Sequence, residues 1–129
     1  MGQAIARAFA ADGAKVVVAG REQQLKTLAD QIKGPFQMLQ DLIETMESGS
    51  SIINISSAAA IIGFENRMAY TGAKAGTEHV LREVANEYGC RGIRLNTIAP
   101  VLTETPLSAD YHRTPGVVDA FVEEYPLGR

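Results

Sequence analysis

The sequence has no tryptophan, one cysteine, and only four tyrosines and four phenylalanines in 129 residues. A single cysteine excludes an internal disulfide. The setting of Cys90 in Tyr-Gly-Cys-Arg-Gly reads as a helix-to-strand turn rather than a metal knuckle, so we expect a small structural residue in a reducing compartment. Basic charge is also scarce: 12 Lys and Arg stand against 15 Asp and Glu, a formal net charge of -3. Such a chain has no positive field to draw in nucleic acid or an anionic membrane, and neither partner is expected. No apolar run is long enough to span a bilayer, and the first residues lack the basic patch and continuous apolar core of a secretory leader. A cytoplasmic location follows as an expectation. The Asn-x-Ser match at Asn54 lies inside an apolar strand pattern, out of reach of glycosylation, and is set aside.

What is present is an ordinary globular composition, 46% hydrophobic and 21% charged. From Gly2, Ile5, Ala8 and Phe9 recur at helical spacing, and Asp12-Gly13 supplies a stop. Ala14 to Ala19 is a valine-rich run ended by Gly20, the pattern of a strand buried on both faces of a parallel sheet. Residues 22–31 are polar and helix-forming. A further helix is predicted to start at Pro35, with Phe36, Leu39, Ile43 and Met46 on one face and Gly49 ending it. Ser51 to Ser56, with Ile52, Ile53 and Ile55, reads as a second buried strand, followed by small residues and a loop through Gly63. A long helix is predicted from Tyr70 to Tyr88, with Val80, Val84 and Tyr88 inward and Gly89 closing it. Ile93 to Ile98 makes a third strand stopped by Pro100, and Val118, Phe121, Val122 and Tyr125 outline a short last helix. Helices alternating with strands, without hairpin turns, imply an α/β chain with a parallel sheet of the doubly wound class. We expect one domain over residues 1–129.

The chemistry is concentrated in Tyr70-Thr71-Gly72-Ala73-Lys74. Residues four apart on a helix share a face, so the phenol and the ammonium can reach one volume. A phenol, with a reference pKa of about 10, is a poor base near neutrality, and an adjacent ammonium favours its phenolate form. That pairing suits general acid/base work. Ser57 lies upstream at the C-terminal end of a predicted strand, where open α/β sheets place ligands, and its hydroxyl could steady a carbonyl. By residue frequencies alone, this triple should arise in roughly one chain per hundred of this size.

The flanking residues raise the signal. Asn54-Ile55-Ser56-Ser57 resembles the serine strand of the short-chain dehydrogenase/reductase family, and Tyr70 with Lys74 matches its Tyr-x-x-x-Lys signature. Ile93-Arg94-Leu95-Asn96 and Pro100 are similar to the family's following strand and its proline. Gly2-Gln3-Ala4-Ile5-Ala6 resembles the last glycine of its Gly-rich phosphate loop and the helix behind it. The resemblance covers nearly the whole chain and implies a nicotinamide-dependent oxidoreductase with a partial Rossmann-like sheet. It implies that Tyr70 exchanges a proton with the substrate oxygen, that Ser57 positions that oxygen, and that Lys74 holds the nicotinamide ribose. It further implies cofactor contacts at Gly2, Tyr70, Lys74, Pro100, Thr103 and Thr105, with Thr105-Pro106 at the nicotinamide amide. Gly20 stands where NAD-preferring members carry an acidic residue, and Arg21 follows it. A guanidinium there can bind a 2′-phosphate, so NADP(H) is expected over NAD(H), although Arg21 reads equally well as a solvent-facing helix-start residue. The substrate implied is a small ketone or secondary alcohol. Homo-oligomers through the helices at 35–47 and 70–88 are implied in the same way.

The sequence departs from the family in several places. The earlier glycines of the phosphate loop and the strand carrying them are not in it. Residues 29–33 pass straight to Lys33-Gly34-Pro35-Phe36, without the third and fourth strands or the Asn-Asn-Ala-Gly segment, and Gln31 stands near the place of the family's active-site asparagine. Val101 replaces the usual glycine after Pro100. A strand at 14–19 would then lack both its usual neighbours. Each buried unpaired backbone group costs about 1–3 kcal/mol, and several together rival a whole stability of about 5–15 kcal/mol. Retaining the parent fold therefore requires a partner chain or altered pairing. The alternative function is a catalytically inactive, truncated relative that binds a full-length subunit, and a Met1 that is internal rather than the true start would decide against it. His79 and His112 have no partners at metal-ligand spacing and are expected at the surface, with Asp110 a weak ligand and Glu123-Glu124 a solvated face.

Overall fold

A computed structural model describes residues 2–17, 28–106 and 108–128, without the side chains of residues 2, 3 and 28–32. The elements in chain order are α1 (Gly2–Ala11), α2 (Leu28–Ile43), β1 (Ser51–Ile55), α3 (Ala59–Ile62), α4 (Met68–Tyr88), β2 (Arg94–Ile98), α5 (Ala109–Arg113) and α6 (Val117–Glu123). The chain is α/β. β1 and β2 pair in parallel, in the register Ser51↔Arg94 through Ile55↔Ile98. A parallel pair cannot be closed by a tight turn, and α4 supplies most of the connection between the two strands.

The core lies where α2 and α4 meet one face of this pair. Leu39 and Ile43 of α2 and Ile93 are buried, with Met46, Ile52, Val80, Leu81, Val84, Tyr88 and Leu95 packed against them. The spacing of Leu39 and Ile43, and of Val80, Val84 and Tyr88, is the i, i+4 repeat that puts side chains on one helical stripe. Strand alternation does the same for Ile52 and its register partner Leu95. The opposite face stays open: Ile53 is 37% and Ile98 41% exposed. The expectation of strands buried on both faces is therefore corrected, because among the described residues helices cover one face of the sheet.

Other expectations shift as well. Residues 14–17 form no strand, and Val17 is 72% exposed; the rest of the strand expected at Ala14–Ala19 lies outside the described residues, as does most of the helix expected at 22–31. Among the described residues no strand lies beside residues 14–17 to take their backbone bonds, so that stretch has no ladder to join. α2 begins at Leu28 and not at Pro35, which sits inside it. Proline removes the bond to the Gln31 carbonyl, yet helix-forming residues on both sides carry the helix through. It ends at Ile43, and Gly49 (φ 88°) instead turns the chain toward β1. α4 begins two residues earlier than expected, and Gly89 is still right-handed; a 3-10 turn, Gly89–Arg91, follows, and Gly92 makes the left-handed stop. The short helices α3 and α5 had no periodic signal to reveal them. Cys90 is exposed. No helix among the described residues is long and apolar enough to cross a membrane.

A polar clamp fixes the end of α4 to the end of α2. Tyr88 Oη donates to Glu44 Oε1 at 2.7 Å, and Arg91 donates to Glu44 Oε2 at 3.0 Å and to the Met46 carbonyl at 3.2 Å. The Arg91 guanidinium also lies 5.2 Å from the Tyr88 ring centroid. The Tyr88 hydrogen bond, and then Arg91, hold the Glu44 carboxyl below its ordinary value, while the same bond raises Tyr88. Glu44 therefore adds stability that is present above its ordinary value of 4.5 and lost as the pH falls through its lowered folded value. Tyr88 adds stability present below its ordinary value of 10.0 and lost as the pH rises through its raised one. The urea midpoint of Glu44→Gln should lie below that of the wild type at neutral pH, and the gap should close as the pH falls through the lowered folded value of Glu44; a gap that stays constant into acid would exclude an ionised Glu44 as its source. Gly92 has φ 75°, and a Cβ there would meet Ser48 Oγ at 2.6 Å. Gly92→Ala should cost about 1–3 kcal/mol in urea unfolding, since the left-handed backbone and the close approach both disfavour a side chain.

Candidate active site

β1 ends at Ile55, and its continuation stays bound to the neighbouring strand: Ser56 N donates to the Ile98 carbonyl at 2.8 Å and Ala58 N to the Pro100 carbonyl at 2.9 Å. Pro100 thus stands beside the serine segment, at the C-terminal edge of both strands. Ser57 is half-buried, and its Oγ accepts from Ala59 N at 3.3 Å, securing the first turn of α3. Ser56 is buried, and its hydroxyl finds no partner among the described residues.

Lys74 bridges the helix and the strand. From the second turn of α4 its Nζ donates to the Ile55 carbonyl at 2.8 Å, at the last residue of β1, and lies 6.0 Å from the Tyr70 ring centroid. The i, i+4 spacing expected from sequence thus sets ammonium and phenol side by side, with the ammonium fixed to the strand end that leads into Ser57.

Tyr70 is half-buried and opens onto a cleft of about 520 Å3, lined also by Glu65, Asn66, Arg67, Ala69 and Tyr111. Asn66 holds the left-handed backbone conformation (φ 56°) that asparagine tolerates better than most side chains, and it turns the chain into α4. Arg67 donates to Tyr111 Oη, and its guanidinium carbon sits 5.4 Å from the Tyr111 ring centroid. Phe64 meets Phe121 with ring centroids 6.2 Å apart. α5 and α6 are thereby tied to the loop before α4. Sequence reasoning missed Arg67 and Tyr111: Arg67 precedes α4 with a non-helical backbone, and its partner lies 44 residues away, so no local spacing signals the pair.

Thr103 Oγ1 donates to the Val101 carbonyl at 3.1 Å, and Thr105 Oγ1 shares a 3.0 Å hydrogen bond with Ser108 Oγ, so both hydroxyls serve the turn before α5. Gly2 is the first residue of α1. Gly20 and Arg21 lie outside the described residues, and Gln31 falls within α2. His79 is exposed, but His112 is half-buried with Nε2 unpartnered among the described residues, which corrects its expected surface position. Among the described residues no three His, Cys, Asp or Glu side chains group so as to hold a metal ion.

A family model described as enoyl-(acyl carrier protein) reductase matches residues 19–129. The trans-4-hydroxycyclohexanecarboxylate dehydrogenase of Sinomonas cyclohexanicum is 35% identical over 105 residues, 81% of this chain and 38% of that protein. An uncharacterized short-chain type dehydrogenase/reductase of Sinorhizobium fredii is 31% identical over 105 residues, 81% of this chain and 19% of its own length. The chain belongs to the short-chain dehydrogenase/reductase family. A solved family structure, the Pseudomonas aeruginosa RhlG/NADP active-site complex, superposes with a TM-score of 0.67 at 26% identity, covering 79% of this chain and 44% of that one. The present chain spans less than half the length of these short-chain dehydrogenase/reductase relatives. The likeness covers a partial doubly wound sheet and its flanking helices.

The Lys74 bridge has a measurable consequence. Lys74→Met keeps most of the side-chain stem and leaves the Ile55 carbonyl without this donor. It should cost about 1–3 kcal/mol in urea unfolding, and a loss below roughly 0.5 kcal/mol, the range of ordinary surface substitutions, would show that the bond is not holding the strand end.

Proposed function

We propose that residues 1–129 act as a single partial dinucleotide-binding and catalytic domain of an NADP(H)-dependent oxidoreductase acting on a ketone or secondary alcohol. The observation that carries this reading is the Lys74 bridge, which holds an ammonium beside the Tyr70 phenol at the C-terminal edge of the sheet. In reduction, Tyr70 Oη gives its proton to the substrate oxygen; in oxidation it takes that proton back. Ser57 steadies the same oxygen. Its Oγ accepts from Ala59 N, and among the described residues its own hydrogen has no acceptor, so it is available to a ligand. That unspent donor and the fixed ammonium fit the nicotinamide and ribose end of a cofactor. Lys74 would hold the ribose, with Pro100, Thr103 and Thr105 beside the nicotinamide. When bound, the nicotinamide supplies or takes up the hydride.

Gly2 at the start of α1 and Arg21 would receive the phosphate end, Arg21 favouring the 2′-phosphate of NADP(H). A second reading, a catalytically silent relative that binds a full-length subunit, draws on the two-stranded sheet with Ile53 and Ile98 exposed on its open face. Nicotinamide fluorescence should show saturable NADPH binding to the purified chain, tighter than NADH. The Tyr70→Phe, Lys74→Ala double variant should bind at least about tenfold more weakly, the loss expected for hydrogen bonds from a charged group. A folded sample that does not bind NADPH would overturn the first reading and turn attention to partner chains.

A further inference from the structure

We infer that Arg67 and Tyr111 form an anion-reading wall beside Tyr70, and that the substrate is a ketone or secondary alcohol carrying a carboxylate a few bonds from the reacting carbon. The inference deepens the reading of the Tyr70 site given above and rests on it for the identity of the reacting oxygen. Arg67 caps the start of α4 with a non-helical backbone (φ -125°, ψ 24°), and its side chain and that of Tyr70 line the same cleft. A ligand held by both must place an anionic group a few bonds from the oxygen that Tyr70 serves. Tyr111 holds the guanidinium as a hydrogen-bond acceptor, with the guanidinium carbon 5.4 Å from its ring centroid. That contact uses one N–H and leaves donors of the planar fork directed elsewhere. Among the described residues no carboxylate lies within 4.0 Å of Arg67, although Glu65 shares the cleft. Glu65 is therefore not its ion-pair partner. A guanidinium held by Tyr111 without a paired carboxylate is suited to bidentate binding of a planar carboxylate, whereas a neutral ketone gains nothing from it.

The test compares 4-oxopentanoate with its amide, which keeps the ketone and removes the charge, by isothermal calorimetry on the purified chain with and without NADPH. The acid should bind at least about tenfold more tightly than the amide, the usual advantage of a charge-assisted hydrogen bond. In Arg67→Met, whose stem can still pack on Tyr111, that ratio should fall to about one, and Arg67→Lys should restore part of it. Equal binding of acid and amide by the wild type, no binding of the acid by a folded sample, or a preference that survives in Arg67→Met would each overturn the inference. NADPH binding, and its loss in the Tyr70 and Lys74 variant, is scored in separate titrations, so a failure of the oxidoreductase reading is distinguishable from a failure of the anion wall.

Discussion

The parallel pairing of β1 and β2 is the constraint from which the site follows. Two parallel strands must be joined by a segment that returns along their whole length, and here α4 makes that return. A returning helix has to begin near the end where the first strand finishes. Tyr70 and Lys74, in its first turns, are thereby delivered to the edge where β1 runs out into Ser57 and β2 into Pro100. Residues scattered from position 57 to position 100 converge because of one topological requirement. The Lys74 hydrogen bond to the Ile55 carbonyl then fixes the angle at which the helix start meets that edge.

Much of this was legible in the sequence, because the relevant signals are local. Tyr70 and Lys74 declare their shared face through spacing alone, and β1, β2 and α6 follow from short apolar runs bounded by turn residues. What was not legible depended on neighbours. The valine-rich run before Gly20 reads as a buried strand only if other strands take its backbone bonds, and residues 14–17, without them, are not a strand. Ile53 looks like core by composition but faces the open side of the sheet. Pro35 looks like a helix start, yet the helical residues before it outweigh the single bond it removes. At the site, Arg67 and Tyr111 were invisible because their pairing joins the residue before α4 to α5 across 44 residues, a contact no periodicity encodes.

The distribution of burial shows how little apolar packing the site requires. Leu39, Ile43 and Ile93 form the buried centre, while large apolar side chains such as Ile61, Ile62 and Met68 remain at least 70% exposed. With so small a centre, directional contacts carry more of the task of fixing relative positions than they would in a large core. The clamp of Glu44, Tyr88 and Arg91 holds one end of α4 against α2, and Lys74 holds the other end against β1. The helix is thus tied at both termini by hydrogen bonds involving ionised groups, which are roughly twice as strong as neutral ones.

This arrangement separates the two halves of the chemistry expected of the family. In the reading proposed above, proton handling falls to Tyr70, Lys74 and Ser57, all set by one helix, one strand end and the bond between them. A charge-assisted hydrogen bond contributes about 1.5–3 kcal/mol, a sizeable share of a small domain's stability, so this geometry can hold without a full sheet behind it. Phosphate binding is different in kind, because a helix N-terminus acts on an anion only when the loop before it and the strands beside it aim it at the same pocket. Cofactor affinity is therefore expected to be more sensitive than the Tyr70 cluster to whatever sequence or partner completes the sheet, and the serine, tyrosine and lysine geometry is the part of the site that this chain specifies by itself.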